Sequence, residues 1–321
     1  MGNNYVPVLG LKNCALSVGN TGVEGCNIDL SKIEGILLVP KGTIITYLQA
    51  TTLKTTVEAM LKNDNPLLRA YPMKNFMNIE PMGSDAQIKE GGFGNKYLGK
   101  NATVGFKATY LKGAMTLHKQ LATFTNMQDL FDFYLMDSEE NALHGTEMPT
   151  GLKGYDLGMF IAHTPKVGTE ETEYSFEFHL SYADEFNKRH DFIKSSDEYQ
   201  IIQEVNGLRQ LKAQVSTPLA AGLVKLKFVS GVTDLYDAYS TNFVASLITA
   251  KNVATNNAIT VTSLTAVALG KTFNLQLDAA DTDYVAVASG GLIEISIGNV
   301  TALGAAGIVG MSETKFLITK P

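Results

Sequence analysis

The stretch Gly94-Asn95-Lys96-Tyr97-Leu98-Gly99-Lys100-Asn101 comes within one residue of a phosphate-binding loop, in which backbone amides cradle phosphate and a lysine reaches the outer oxygens. Lys100 stands in the right place, but Asn101 replaces the Ser or Thr whose hydroxyl would hold Mg²⁺. Such a loop also needs a strand before it and a helix after it, whereas an alternating strand follows here. We read the stretch as a surface hairpin loop.

The histidines are His118, His144, His163, His179 and His190, and no two sit at i, i+2 or i, i+4, the spacings at which a strand or helix offers a metal two ligands. His179 falls on the polar side of a strand and reads as an ordinary exposed imidazole; a site built from distant residues stays open. Asp278, Asp281 and Asp283 have a spacing that can chelate Ca²⁺, yet the glycine and closing glutamate of a helix-loop-helix site are missing, so a solvated turn is expected. Glu139-Glu140 and Glu170-Glu171 read as loop charges, and no G-x-S-x-G nucleophile elbow occurs. Cys14 and Cys26 match neither a CxxC pair nor a zinc framework, and free thiols are expected ahead of a disulfide closing the short loop. The expectation is a non-enzymatic chain with no cofactor and no metal.

The elements around these residues are mostly strands. Ala102, Val104, Phe106, Ala108 and Tyr110 alternate with Thr103, Gly105, Lys107 and Thr109, and Tyr174-Ser175-Phe176-Glu177-Phe178-His179-Leu180-Ser181-Tyr182 alternates without a break. Such patterning predicts antiparallel sheet with one packed face. Ile36–Val39, Thr43–Leu48, a stretch around Phe76 and Ile79, Met115–Leu121 and Leu157–His163 read as further strands. Helices are predicted at 53–62, capped by Thr51 or Thr52 and stopped by Asn63-Asp64-Asn65-Pro66, and at 127–136, where Met127, Leu130, Phe131 and Tyr134 have helical spacing.

The chain has 321 residues, long enough for two domains, with 45% hydrophobic and 18% charged residues; the charged share is below the roughly 25% of an average soluble domain. A formal net charge of −6 argues against a protein that grips nucleic acid by counterion release. The N-terminus reads as neither a secretion signal nor a myristoylation site, and no apolar run is long enough to span a membrane. Residues 1–35 are expected to form an extended arm, 36–220 a β domain with short packing helices, and 221–321 a second, immunoglobulin-like β-sandwich. Strands of that sandwich are predicted at Leu223–Val229, Ile259–Ser263, Thr272–Leu277, Tyr284–Ala288, Ile293–Ile297 and Phe316–Thr319.

The order of capped helix at 53–62, glycine loop at 91–94, strand at 102–110, helix at 127–136 and late amphipathic strand at 174–182 resembles the tail-tube (major tail) proteins of long-tailed bacteriophages. The Cys26 to Gly42 opening also looks like virion proteins of phages infecting Bacteroidota. The resemblance implies a β-sandwich or barrel whose inner strands join those of sister subunits into rings around a DNA channel, and a C-terminal immunoglobulin-like domain on the outside. It implies a virion protein assembled in the host cytoplasm, a homo-oligomer of rings and stacked rings with other virion proteins as partners, DNA passing through the lumen, and no membrane insertion. Thr103, Lys107, Ser175, Glu177, His179 and Ser181 are then candidates for the lumen or polar sheet face. An alternative is a capsid decoration or head-fibre protein whose C-terminal domain binds host-surface carbohydrate.

Overall fold

The computed structural model describes residues 11–12, 28–47, 52–91, 95–110, 114–125, 127–164, 174–195 and 199–321. Cys14 and Cys26 lie outside the described residues, as do most of the expected arm and Glu170-Glu171. The fold is mainly β, in multiple antiparallel sheets of which one curls into a half-barrel. The chain divides into one unit of residues 1–61 and 65–206 and another of 62–64 and 207–321.

The first unit contains β1 (Leu11–Lys12), β2 (Ile33–Pro40), β3 (Ile44–Thr46), β4 (Tyr71–Lys74), β5 (Asn78–Ser84), β6 (Gln87–Glu90), β7 (Lys96–Lys100), β8 (Thr103–Tyr110), β9 (Phe131–Asp137), β10 (Ala142–Met148), β11 (Gly151–Lys153), β12 (Tyr155–Ala162), β13 (Tyr174–Leu180) and β14 (His190–Lys194). Its main helices are α1 (Leu53–Leu61) and α2 (Ala114–Phe124), followed by the short α3 (Ala183–Asn187) and α4 (Ile201–Glu204). The large sheet runs β1-β14-β10-β9-β12-β13-β8-β5, with β2 on the other margin of β9 and β4 beyond it.

β2 and β9 form the partition of this unit. Ile36, Leu38, Phe131, Phe133 and Leu135 point into a core shared with Phe106, Phe160, Phe176 and Phe178, while Leu37, Val39, Tyr134 and Met136 point into a second core with Leu53, Val57 and Leu61 of α1. Burial on both faces removes the polar alternation that normally marks a strand. The predicted helix at 127–136 is therefore wrong. Gln128–Leu130 makes one 3-10 turn, and β9 then runs from Phe131 with every residue buried, including Asp132 and Asp137. Conversely, the strand expected at Met115–Leu121 is α2, whose Leu121 is buried and whose Phe124 ring lies edge-on to Tyr71, Phe131 and Phe160. Leu117, Leu121 and Phe124 have helical spacing, and this outlasts the short alternation.

The second unit holds β15 (Arg209–Ala220), β16 (Leu223–Ser230), β17 (Thr233–Asp234), β18 (Ile248–Asn252), β19 (Ala258–Ile259), β20 (Val261–Val267), β21 (Thr272–Leu277), β22 (Leu292–Ile297), β23 (Met311–Ser312) and β24 (Thr314–Thr319), with α5 (Tyr236–Tyr239), α6 (Thr282–Ala286) and α7 (Val300–Ala305). One sheet runs β20-β21-β16-β15-β23, the other β19-β18-β22-β24. Lettered along the chain, these are D-E-B-A and C′-C-F-G, the immunoglobulin arrangement. Val224, Leu226, Phe228, Phe273 and Leu275 of one sheet share a core with Ile248, Ile293, Ile295 and Ile318 of the other.

Three sequence boundaries shift. The unit border falls at 206/207 instead of 220/221, because β15 is the hairpin partner of β16. The arm expected to end at residue 35 gives way earlier, since Ile33–Gly35 already lie in β2. The strand predicted at Tyr284–Ala288 is occupied by α6, capped by Asp281, whose Oδ1 accepts from the amides of Asp283 at 2.8 Å and Tyr284 at 3.3 Å.

Candidate functional site

The outer face of the sheet β5-β8-β13-β12 gathers most of the polar residues singled out in the sequence. Register fixes their neighbours: Glu80, Lys107, Glu177 and Ile161 stand in one row across four strands, and Asn78, Thr109 and Ser175 in the next. Opposite charges in directly opposed positions support each other, and Lys107 stands between two glutamates. Thr103 is exposed, whereas Lys107, Ser175, Glu177 and His179 are half-buried. On the reverse of the same strands, Phe106, Phe176 and Phe178 are buried.

Thr103, Glu177, His179 and Ser181 each have a specific support. Thr103 Oγ1 accepts from the Ser84 amide at 3.0 Å. Glu177 stands between two imidazoles, its Oε1 2.9 Å from His163 Nε2 and its Oε2 3.8 Å from His179 Nε2. The His179 ring lies over Gly105, where a Cβ would come 2.2 Å from Nδ1, so only glycine leaves this room. Ser181 sits apart from the row, donating from Oγ to Asp156 Oδ1 at 3.0 Å. The arrangement offers charge of both signs, interspersed by the strand register.

Two networks inside the first unit left no sequence signal. In one, Tyr155, His190, His144 and Asp137 form a line from β12 through β14 and β10 to β9. The Tyr155 hydroxyl meets His190 Nδ1, His190 Nε2 lies 3.4 Å from His144 Nδ1, and His144 Nε2 lies 3.3 Å from Asp137 Oδ2. With both rings neutral, Tyr155 can donate to His190 and His190 to His144. Burial, and then the neighbouring His144, pushes His190 down to about 3. Burial raises Asp137, but His144 and the amides of Glu140 and Glu139 outweigh it and leave the carboxyl below its usual value. The other network surrounds Asp132, whose carboxyl is pushed up to about 6 chiefly by burial. No local pattern announces either, because the partners come from strands distant in sequence.

The motifs that suggested chemistry resolve into structure. Lys96–Lys100 is strand β7, paired with β6, not the turn before a helix that a phosphate loop requires. Asp281 is consumed by its cap and by Thr260, whose amide and hydroxyl donate to Oδ2 at 2.9 and 2.6 Å, and Asp283 Oδ1 accepts from Asn257 at 2.8 Å. Among the described residues, no group of three or more His, Cys, Asp and Glu is arranged to hold a metal ion. A polar cavity of about 570 Å³ is bounded by Lys74, Asn75, Asn141, Gln203 and Asn206. Its lysine is spent on the chain, with Nζ donating to Ile202 O at 2.8 Å and Asn206 Oδ1 at 2.9 Å. No helix of the described residues is long and apolar enough to cross a membrane.

Compared with known proteins, the sequence matches no family model and no curated protein.

Proposed function

We propose that this chain is a structural, non-catalytic virion protein that assembles with copies of itself into rings, forming a phage tail tube or a neck channel through which DNA passes. The observation that carries this reading is the hairpin β6–β7. It prolongs the β5–β8 pair: Ser84 opposes Thr103 at the sheet, and Gln87 opposes Lys100 and Glu90 opposes Lys96 further out. All nine of its strand residues are exposed, among them Ile88 at 67%, Tyr97 at 55% and Leu98 at 58%. A two-stranded ribbon with apolar side chains in water is marginal alone, and β5 beside it is the terminal strand of its sheet. A second copy of this chain covers both defects at once, with the polar face of Thr103, Lys107, Ser175, Glu177 and His179 turned to the channel.

The test is assembly. Ile88 and Leu98, weighted by their exposed fractions, hold about 2–4 kcal/mol per contact, on the order of 10²-fold in association. Ile88→Ser with Leu98→Ser should shift assembly, followed by mass photometry and negative-stain microscopy, to correspondingly higher concentration while the far-ultraviolet circular dichroism is unchanged. A wild-type chain that stays a compact monomer at high concentration sinks the proposal.

A second reading makes the C-terminal sandwich a recognition module of a decoration or head-fibre protein. It is favoured by exposed apolar tips at one end of the sandwich: Val232 at 103%, Leu269 at 92% and Val309 at 60%. These connections lie together, as the contacts of Lys271 Nζ with Asp237 and of Asn242 Nδ2 with Ala306 O show. Binding to a host-surface glycan array that Leu269→Ser abolishes would support this reading, and an array without signal would remove it.

A further inference from the structure

Five charged residues converge where β9, β11, β12 and α3 meet. Lys41 Nζ is engaged by Asp156 Oδ1 at 2.9 Å, which leaves Lys153 facing two other acids. Its Nζ lies 3.8 Å from Asp132 Oδ2 and 3.5 Å from Glu185 Oε1. Asp132 is fully buried and Glu185 is 3% exposed. Asp132 Oδ2 accepts from the Gly42 amide at 2.8 Å, while Oδ1 is buried without a partner. Glu185 is anchored through Oε2, which accepts from the Asp156 amide at 2.7 Å. The chain beside Lys153 comes this close because residue 154 is glycine: a Cβ there would lie 3.0 Å from Asp132 Cβ.

We propose that this constellation is a self-modification site, in which Lys153 Nζ and Asp132 Cγ condense to an intramolecular isopeptide bond with Glu185 as the base that takes the amine proton. Glu185 takes a proton from the Lys153 ammonium, and the neutral amine attacks Cγ of the protonated Asp132 carboxyl. The Gly42 N–H, aimed at Oδ2, stabilises the negative charge that develops there. The second amine proton passes to the Oδ1 hydroxyl, the Cγ–Oδ1 bond breaks, and one water leaves. Glu185 is left protonated until it exchanges with solvent. One N–C bond forms, one C–O bond breaks, and nothing is oxidised or reduced.

The electrostatics suit the step. Burial raises Asp132 to about 6, so a large fraction carries the proton an attacked carboxyl needs, and this outweighs the lowering by the Gly42 amide and by Lys153. Holding amine and carboxyl together removes most of the entropic cost of condensation. The exit of Oδ1 also resolves its unmet hydrogen bond, which in a buried site is itself destabilising.

Intact-mass measurement of the purified full-length chain, held at pH 6 and then denatured, decides the matter. The wild type is expected to be lighter than its sequence by one water, and a digest should yield one branched peptide joining the segments around Asp132 and Lys153. Lys153→Arg and Asp132→Ala should each restore the sequence mass, and Glu185→Gln should retain it although both reacting residues remain. A wild-type mass equal to the sequence, with the two segments recovered unlinked, overturns the proposal; so does a water loss mapped elsewhere.

Discussion

Replacing His190 by Gln should change how stability depends on pH more than it changes stability itself. The imidazole sits against His144 of β10, Tyr155 of β12 and Phe186 of α3, with Asp191 next to it in the strand. Its folded value of about 3 lies below the ordinary 6.5, so between these two pH values the unfolded chain binds the proton and the folded chain does not. The stability contributed by this neutral ring is fully present above about 6.5 and falls away as pH drops toward 3. From pH 8 to pH 5 the wild type should lose about 2 kcal/mol relative to His190→Gln, from the ratio of proton binding in the two states. The comparison with the variant matters because any other group that titrates in this window acts on both chains equally and cancels. Urea unfolding followed by circular dichroism at the two pH values measures the difference. A gap between wild type and variant that is the same at pH 8 and pH 5 would show that the ring titrates as if exposed.

Phe178 is fully buried and packs against the rings of Phe106, Phe133 and Phe176, so Phe178→Ala should cost about 3–5 kcal/mol in the same assay. Glu177→Ala, on the opposite face of the same strand, should stay within about 1 kcal/mol of wild type; a reversed order would invert the face assignment. The turn joining β15 and β16 places both Ala221 and Gly222 at positive φ, 49° and 79°. Because an alanine is strained there and Asn-Gly is the favoured pair for this turn, Ala221→Asn should raise stability by about 0.5–1 kcal/mol, read as a higher Tm. A lower Tm would count against that turn geometry.

How far the fold could be read from sequence depended on whether each strand had one wet face. β8 and β13 do, and their alternation gave the strands and the facing of Phe176 against Glu177. β2 and β9 do not, and in Phe131-Asp132-Phe133-Tyr134-Leu135-Met136 nothing separates a strand with two cores from a helix with one. The candidate site divides in the same way. Glu177 and His179 were found because they share a strand with the pattern, whereas His163, the partner of Glu177 just past the end of β12, was passed over as one imidazole among several. The line from Tyr155 to Asp137 and the cluster at Asp132 depend on pairings such as Gly145 with Asp191 and Tyr155 with Phe133, which no local spacing encodes.

The placement of Asp132 also bears on why the first unit holds so much charge inside. An ion pair taken out of water gives little net stability, and an apolar pair of similar volume often does as well. Lys41 with Asp156 already forms one well-made pair near the edge of this cluster, at 2.9 Å. Lys153 is different: it reaches neither acid closely, at 3.8 and 3.5 Å, and it leaves Asp132 Oδ1 unmet. A site selected only to neutralise charge would close those gaps. One in which an amine must approach a carboxyl carbon, with Glu185 3.5 Å from that amine to take its proton, accommodates that spacing, and its product removes the buried Asp132 carboxyl that stability alone does not explain.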